Sequence, residues 1–206
     1  YNSANGAGWS NNTNWLVTNT PSNWYGITVT NEHVTELLLS NNNLTGSMST
    51  ELSNLPYLEK LYLNNNYLTG HIPPELGNLT SLWILDIAEN QLTGNIPPTL
   101  GNLTNLWYLE LFKNKLTGSI PPELGNLTKL RYLRLYTNQL TGSIPVEFGN
   151  LTKLRKINLD NNQLTGTIPS SLGNLSQLSD LWLNNNDLTG SIPPELGSLT
   201  NLQYLY

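Results

Sequence analysis

The chain has no cysteine. Disulfides, thiolate nucleophiles and cysteine-based zinc sites are therefore excluded, although a secreted protein need not carry any of these. Charge is also scarce: 11% of the 206 residues are Asp, Glu, Lys or Arg, and 9 basic against 14 acidic residues give a formal net charge of −5. A general nucleic-acid binder needs a basic face to displace counterions, so that class is set aside. No apolar run approaches the ~20 residues a spanning helix needs, and no membrane span is expected within this stretch. No signal peptide is evident either, and Tyr1 reads as a mature or trimmed start. The two histidines, His33 and His71, have no cysteine or second histidine near them, so no metal site is expected. G-x-S-x-G, P-loop and dinucleotide fingerprints are missing, and no cofactor is expected.

What the chain has in excess is Asn, Leu, Thr and Gly, a bias that signals repetition. Asn-x-Leu-Thr-Gly begins at Asn42, Asn66, Asn90, Asn114, Asn138, Asn162 and Asn186, each 24 residues after the last. An amino-terminal segment 1–33 thus precedes seven units over 34–201, and residues 202–206 start an eighth. The shared line is L-x-x-L-x-L-x-x-N-x-L-T-G-x-I-P-x-x-L-G-N-L-T-x, without insertion or deletion.

One unit can be read physically. In "LRYLRLY", Leu133 and Leu135 point one way and Tyr132, Arg134 and Tyr136 the other, as a strand requires. Asn138 turns the chain, its side chain satisfying backbone groups of its own and the adjacent turn, so the seven equivalents predict a buried ladder. Gly142 suits a positive φ, Ile144 fills the core, and Pro145 prevents a regular helix on the return path. Phe148 and Leu151 close the layer. One unit cannot bury its own leucine face, so neighbours must stack. With strands ~4.8 Å apart, seven units extend over roughly 30–35 Å.

The "LTGxIPxxLGNL" line after each Asn resembles the plant-type, 24-residue leucine-rich repeat of receptor-kinase ectodomains, polygalacturonase-inhibiting proteins and bacterial or algal surface proteins. The resemblance is strong over 34–206. It implies a mostly β repeat solenoid: a right-handed horseshoe, with a parallel sheet on the concave side and irregular or 3₁₀ segments on the convex side. It also implies a recognition module outside the cell or on its surface. Trp9, Trp15, Trp24 and Tyr25 resemble the family's amino-terminal cap, expected to cover the first open leucine layer, with aromatic carbohydrate binding as the alternative. The cysteines that commonly flank W-x-G-[VI] there are replaced by Ser22 and Val29, so the cap lacks that disulfide. "NLQYLY" opens a strand and stops without a polar repeat, which implies either a longer chain or an end packed on another domain or copy.

Scaffold positions barely change between units, whereas the third, fifth, seventh and eighth vary freely and are expected to be exposed on the concave face. Units four and five bring together Tyr108, Glu110, Phe112, Tyr132, Arg134 and Tyr136, with Asp86, Lys156 and Trp182 flanking. Aromatics around an Arg are the residue types of binding hot spots; the alternative is lateral stacking that only stabilises the sheet. The expected partner is a protein or peptide, or else an anionic polymer or glycan. Eight of the nine basic residues lie between Lys113 and Lys156, and Lys129, Arg131, Lys153 and Arg155 recur as a stripe where strands begin. Asp86 and Glu110 could form a carboxylate pair for glycoside hydrolysis, but an open sheet is expected to offer little desolvation, so no enzyme is expected. The threonines Thr45 to Thr189 form a regular ladder of the kind that can order ice.

Overall fold

In the computed structural model, which describes residues 2–206, the period-2 stretches form short strands where the leucines alternate; the expectation attached to Tyr1 lies outside them. Nine strands make one sheet in simple chain order. Ile27–Thr30 pairs antiparallel with His33–Leu38, and every later pairing is parallel. The register advances by one repeat per strand, so Tyr132 lies beside Tyr108, Leu133 beside Leu109 and Arg134 beside Glu110. A position in one unit therefore neighbours its own equivalents, and seven similar lines become continuous rows.

The "LTG" segments pair in turn. Thr93–Asn95, Lys115–Ser119, Gln139–Gly142, Gln163–Gly166 and Asp187–Leu188 form a five-stranded parallel sheet, and Thr45–Ser47 pairs with Tyr67–Thr69. On the return path each unit makes one 3₁₀ turn, such as Pro98–Asn102 and Pro122–Asn126. Pro97 and Pro121 stand before these turns in extended conformation, where the missing N–H and fixed φ stop a longer helix. This is a leucine-rich repeat horseshoe. Among the described residues no helix is long and apolar enough to cross a membrane.

The core is a stack of leucine layers: Leu85, Leu109, Leu133 and Leu181 are wholly buried, as is Phe148 in the layer where other units carry Leu. The asparagines hold these layers together. Asn114 donates to the carbonyls of Leu111 in its own unit and Ile87 in the one before, both at 3.1 Å, and accepts the Leu92 N–H at 3.0 Å. Asn66, Asn90, Asn138, Asn162 and Asn186 repeat this pattern. Each asparagine thus joins consecutive turns, as the sequence pattern predicts. The Gly142 φ of +73° also matches its expectation. Gly101 serves differently: a Cβ there would lie 2.4 Å from the Glu123 carbonyl oxygen, so it sets how closely adjacent 3₁₀ turns approach.

At the amino end, Trp9 is buried against the first layer and donates its ring N–H to the Ala4 carbonyl at 2.7 Å. Trp15 meets Trp9 edge-on at 4.9 Å, and Trp24 lies 4.9 Å beyond. Trp9 joins the leucine core and Trp15 packs against it, leaving an apolar hollow of about 350 Å³ between Trp9, Trp15, Ile27, Leu37 and Met48. At the other end, Tyr204–Leu205 pairs with Asp180–Trp182, and Ile192, Leu205 and Tyr206 are exposed.

Candidate functional site

The pleat turns the third, fifth and seventh positions of each unit onto the inner face, and the register aligns them in rows. In the third-position row Tyr108 and Tyr132 stack face to face, centroids 4.6 Å apart. In the seventh-position row Phe112 and Tyr136 do the same at 4.5 Å. Between these rows Arg134 Nη1 donates to Glu110 Oε1 at 3.0 Å, and its guanidinium lies 5.5 Å from the centre of the Tyr132 ring. The six central residues therefore form one patch. Asp86 joins it from the preceding strand, and Lys156 and Trp182 from the two that follow.

The patch is shaped by two hollows divided by Arg134. The first, about 480 Å³, is lined by Tyr62, Trp83, Asp86, Tyr108, Glu110 and Phe112. The second, about 310 Å³, is lined by Tyr136, Lys156, Asn158, Asp160, Asp180 and Trp182. Tyr132 lines neither, but it backs the first through its stack on Tyr108.

Two expectations about this face do not hold. Its polar residues are not uniformly exposed: Glu110 is 5% exposed, and Asn158, Asp160 and Asp180 in later units are buried as well. The inner face of a curved sheet converges, so short side chains sink between the rings and long cations of adjacent strands. For the same reason the face is not too open to perturb its acids. Burial raises Glu110 to about 7 against the opposing pull of Arg134, and raises Asp86 to about 6 against its bond from the Ala88 N–H. Burial raises Asp160 too, against a hydrogen bond from Asn161. Three inner-face acceptors have no hydrogen-bond donor among the described residues: Glu110 Oε2, Asn158 Oδ1 and Asp160 Oδ1. Lys156 instead pairs with Asp180 at 3.1 Å.

Tyr62, Asn158 and Asp160 stood in the variable rows but were not singled out, because their polar or ring character became informative only once neighbours were placed. A second feature escaped entirely. Trp83 and Trp107 occupy the second position of successive units, at the edge where strands begin, with ring centroids 5.7 Å apart. Lys60 Nζ lies 4.9 Å from the Trp83 ring centre, and the Arg131 guanidinium 4.3 Å from that of Trp107. A shallow hollow of about 540 Å³ opens there between Glu59, Ser81, Asn105 and Lys129. The basic stripe is thus partly engaged: Arg131 lies on Trp107, and Lys129 donates to Asn105 Oδ1 at 2.7 Å. A column of second-position residues would have revealed the two tryptophans.

Comparison with known proteins places this geometry. The family described as leucine rich repeat matches residues 32–92 and 57–116, and the leucine-rich repeat region family matches 114–206. No curated protein matches the chain. Among solved structures, PEPR1–AtPEP1 superimposes with a TM-score of 0.91 at 37% identity, covering 97% of this chain and 29% of that one. The Arabidopsis receptor kinase HAESA leucine-rich repeat ectodomain, solved with an extended IDA peptide hormone, gives 0.84 at 38% identity over 95% of this chain and 34% of that one. A plant ice-binding protein gives 0.72 at 29% identity, covering 89% and 75%. The chain spans only about a third of the length of the two receptor structures. The family matches together span residues 32–206, and the receptor structures superimpose at 37% and 38% identity: the chain belongs to the plant-type leucine-rich repeat family.

Proposed function

We propose that the chain is a non-enzymatic recognition module that binds a protein or peptide on its concave face, outside the cell or at its surface. The observation that carries this reading is the inner-face patch itself. Variation between repeats is concentrated where two ring-walled hollows flank Arg134, and three buried acceptors there await donors. Large rings combined with directed polar groups are what binding hot spots use. The HAESA structure, a relative solved with a peptide, supports this class of partner. The stacks of Tyr108 on Tyr132 and Phe112 on Tyr136 also stabilise the sheet, but all four rings are only half-buried and keep surface open to a ligand.

The test is selection of binders from a random peptide library, followed by titration against Tyr132→Ala and Trp182→Ala. Both variants should bind at least tenfold more weakly with little change in melting temperature. Arg134→Ala is a poorer choice, since it strips the buried Glu110 of its partner. Selected peptides that bind both variants as well as the parent would refute the reading.

A second reading, glycan recognition, is favoured by the Trp83–Trp107 shelf with Glu59, Asn105 and Lys129 beside it. A glycan array whose signal vanishes with Trp107→Ala but survives Tyr132→Ala would establish it instead. Ice binding draws on the threonine ladder and the ice-binding relative. Thr69, Thr93 and Thr189, however, donate their hydroxyls to glycine carbonyls one repeat back. A thermal-hysteresis measurement decides this last case.

A further inference from the structure

We propose that the hollow between Tyr62 and Phe112 seats one guanidinium or ammonium side chain of the partner, held by the free oxygen of Glu110 and by Asp86. This rests on the concave-face reading and names the chemistry of its anchor.

The argument begins with an unmet acceptor. The Glu110 side chain is 7% exposed and lines the hollow; its Oε1 is taken by Arg134, and its buried Oε2 has no donor among the described residues. An ionised carboxylate offers about four acceptor positions, and buried polar atoms in folded proteins are almost always paired. Asp86 stands directly beside Glu110 on the next strand, its Oδ1 accepting the Ala88 N–H at 3.2 Å. One guanidinium therefore faces two carboxylates, and the ionised set carries one negative charge in excess. Lys60, the other cation nearby, is committed to Glu36 at 2.6 Å.

The walls select among donors. Tyr62, Trp83, Tyr108 and Phe112 wall the hollow with aromatic rings, and ring faces attract cations through the ring quadrupole. Rings on this face already receive them: Lys60 lies by Trp83 and Arg134 by Tyr132. An anion would meet two carboxylates. A neutral sugar would leave the excess charge in place. A calcium ion needs six to eight oxygen ligands, and among the described residues no group of three or more acids or histidines converges. A basic side chain satisfies all three demands at once: it supplies donors to Glu110 Oε2 and Asp86, it neutralises the charge, and its stem lies against rings.

The arrival of a cation also displaces protons. Glu110 faces Asp86, Arg134, Tyr62 and Tyr136, Glu89 acts on Asp86 as well, and burial raises the two acids to about 7 and about 6. Binding a cation pulls both acids toward their ionised forms, so affinity falls as pH drops from 8 to 5.

The probes are acetyl-Gly-Arg-Gly-amide and its citrulline counterpart, which has nearly the same shape without the charge. Each is titrated into the ¹⁵N-labelled chain, with amide shifts recorded. The arginine probe should perturb the strands that carry Asp86 and Glu110, bind at least tenfold more tightly than citrulline, and weaken at least tenfold in Glu110→Gln. Equal binding of the two probes, shifts mapping elsewhere, or preferential binding of a neutral oligosaccharide in this hollow would overturn the proposal. The probe comparison on the parent chain needs no variant, so a poorly folded Glu110→Gln leaves the test intact. Library peptides that require Tyr132 yet contain no basic residue would sink this anchor and leave the concave-face reading standing. Peptides indifferent to Tyr132→Ala and Trp182→Ala would sink that reading, while the arginine titration would still decide the hollow.

Discussion

Replacing Asn114 by Ala tests whether the asparagine ladder, rather than leucine burial alone, holds the turns in register. Asn114 makes three well-placed hydrogen bonds, to the Leu111 and Ile87 carbonyls and from the Leu92 N–H, and a longer one of 3.4 Å to the Phe112 carbonyl. At about 1 kcal/mol net each, the three strong bonds account for about 3 kcal/mol. Alanine also strands the N–H of Leu92, a fully buried residue, adding about 1–3 kcal/mol. The expected loss is therefore about 4–6 kcal/mol, a large share of the roughly 5–15 kcal/mol that holds a typical domain together. Asn186 makes equivalent bonds to the Leu183 and Leu159 carbonyls and from the Leu164 N–H, but it is only half-buried near the open end. Water can replace its partners there, so Asn186→Ala should cost no more than about half as much. Urea unfolding followed by far-UV circular dichroism measures both, with an unchanged slope showing that unfolding remains one transition. An Asn114→Ala loss below about 1 kcal/mol, or an equal loss at the two sites, would refute this account.

Phe148 fills a position where six other units carry Leu, so Phe148→Leu should cost less than about 1.5 kcal/mol and Phe148→Ala about 3–5, both read by the same urea titration. Gly101→Ala forces a Cβ against the Glu123 carbonyl, and about 1–3 kcal/mol should be lost, seen as a lower melting temperature; an unchanged one would mean the 3₁₀ turns can spread. Glu110 and Asp86 are raised to about 7 and about 6, so the folded state binds more protons than the unfolded one between the ordinary carboxylate range and these values. Their contribution to stability is then fully present below about pH 4 and is lost as pH rises through 6 and 7. Thermal melts across this range should show the decline, and Glu110→Gln should flatten much of it.

The scaffold was legible because one rule repeats: leucines at fixed spacing must stack, and the Asn-x-Leu-Thr-Gly line reports where each turn falls. Each unit confirms the last, so Asn138, Gly142 and Phe148 could be given roles before any coordinates. The rows of the inner face were legible for the same reason, since a constant period with no insertion fixes the register. Depth on that face was not. Glu110 and Arg134 occupy equivalent positions, yet one is buried and the other half-exposed, because the outcome depends on which neighbour is longer. Sequence gives the row but not the convergence that lets rings and guanidinium close over a short carboxylate. Trp83 and Trp107 were missed because attention fell on the residues facing the sheet normal, and theirs is the edge position just before it.

The same register that makes the fold simple makes its inner face unusual as a surface. In a parallel stack, changing one residue alters a row rather than a point, because each side chain lies against its equivalents on both sides. Like residues then reinforce one another, as in Tyr108 on Tyr132. Like charges would repel, and the chain answers with alternation: Glu36 meets Lys60, Glu89 meets Lys113, Glu110 meets Arg134 and Lys156 meets Asp180, each pair one repeat apart. Asp86 and Glu110 break this rule, standing side by side with only Arg134 to balance them. Glu36, Lys156 and Asp180 on the same sheet each meet an opposite charge one repeat away, which this acid pair shares only through Arg134. An uncompensated, ring-walled acid pair at the middle of the arc costs stability at neutral pH, and a cation arriving from outside is what would recover it.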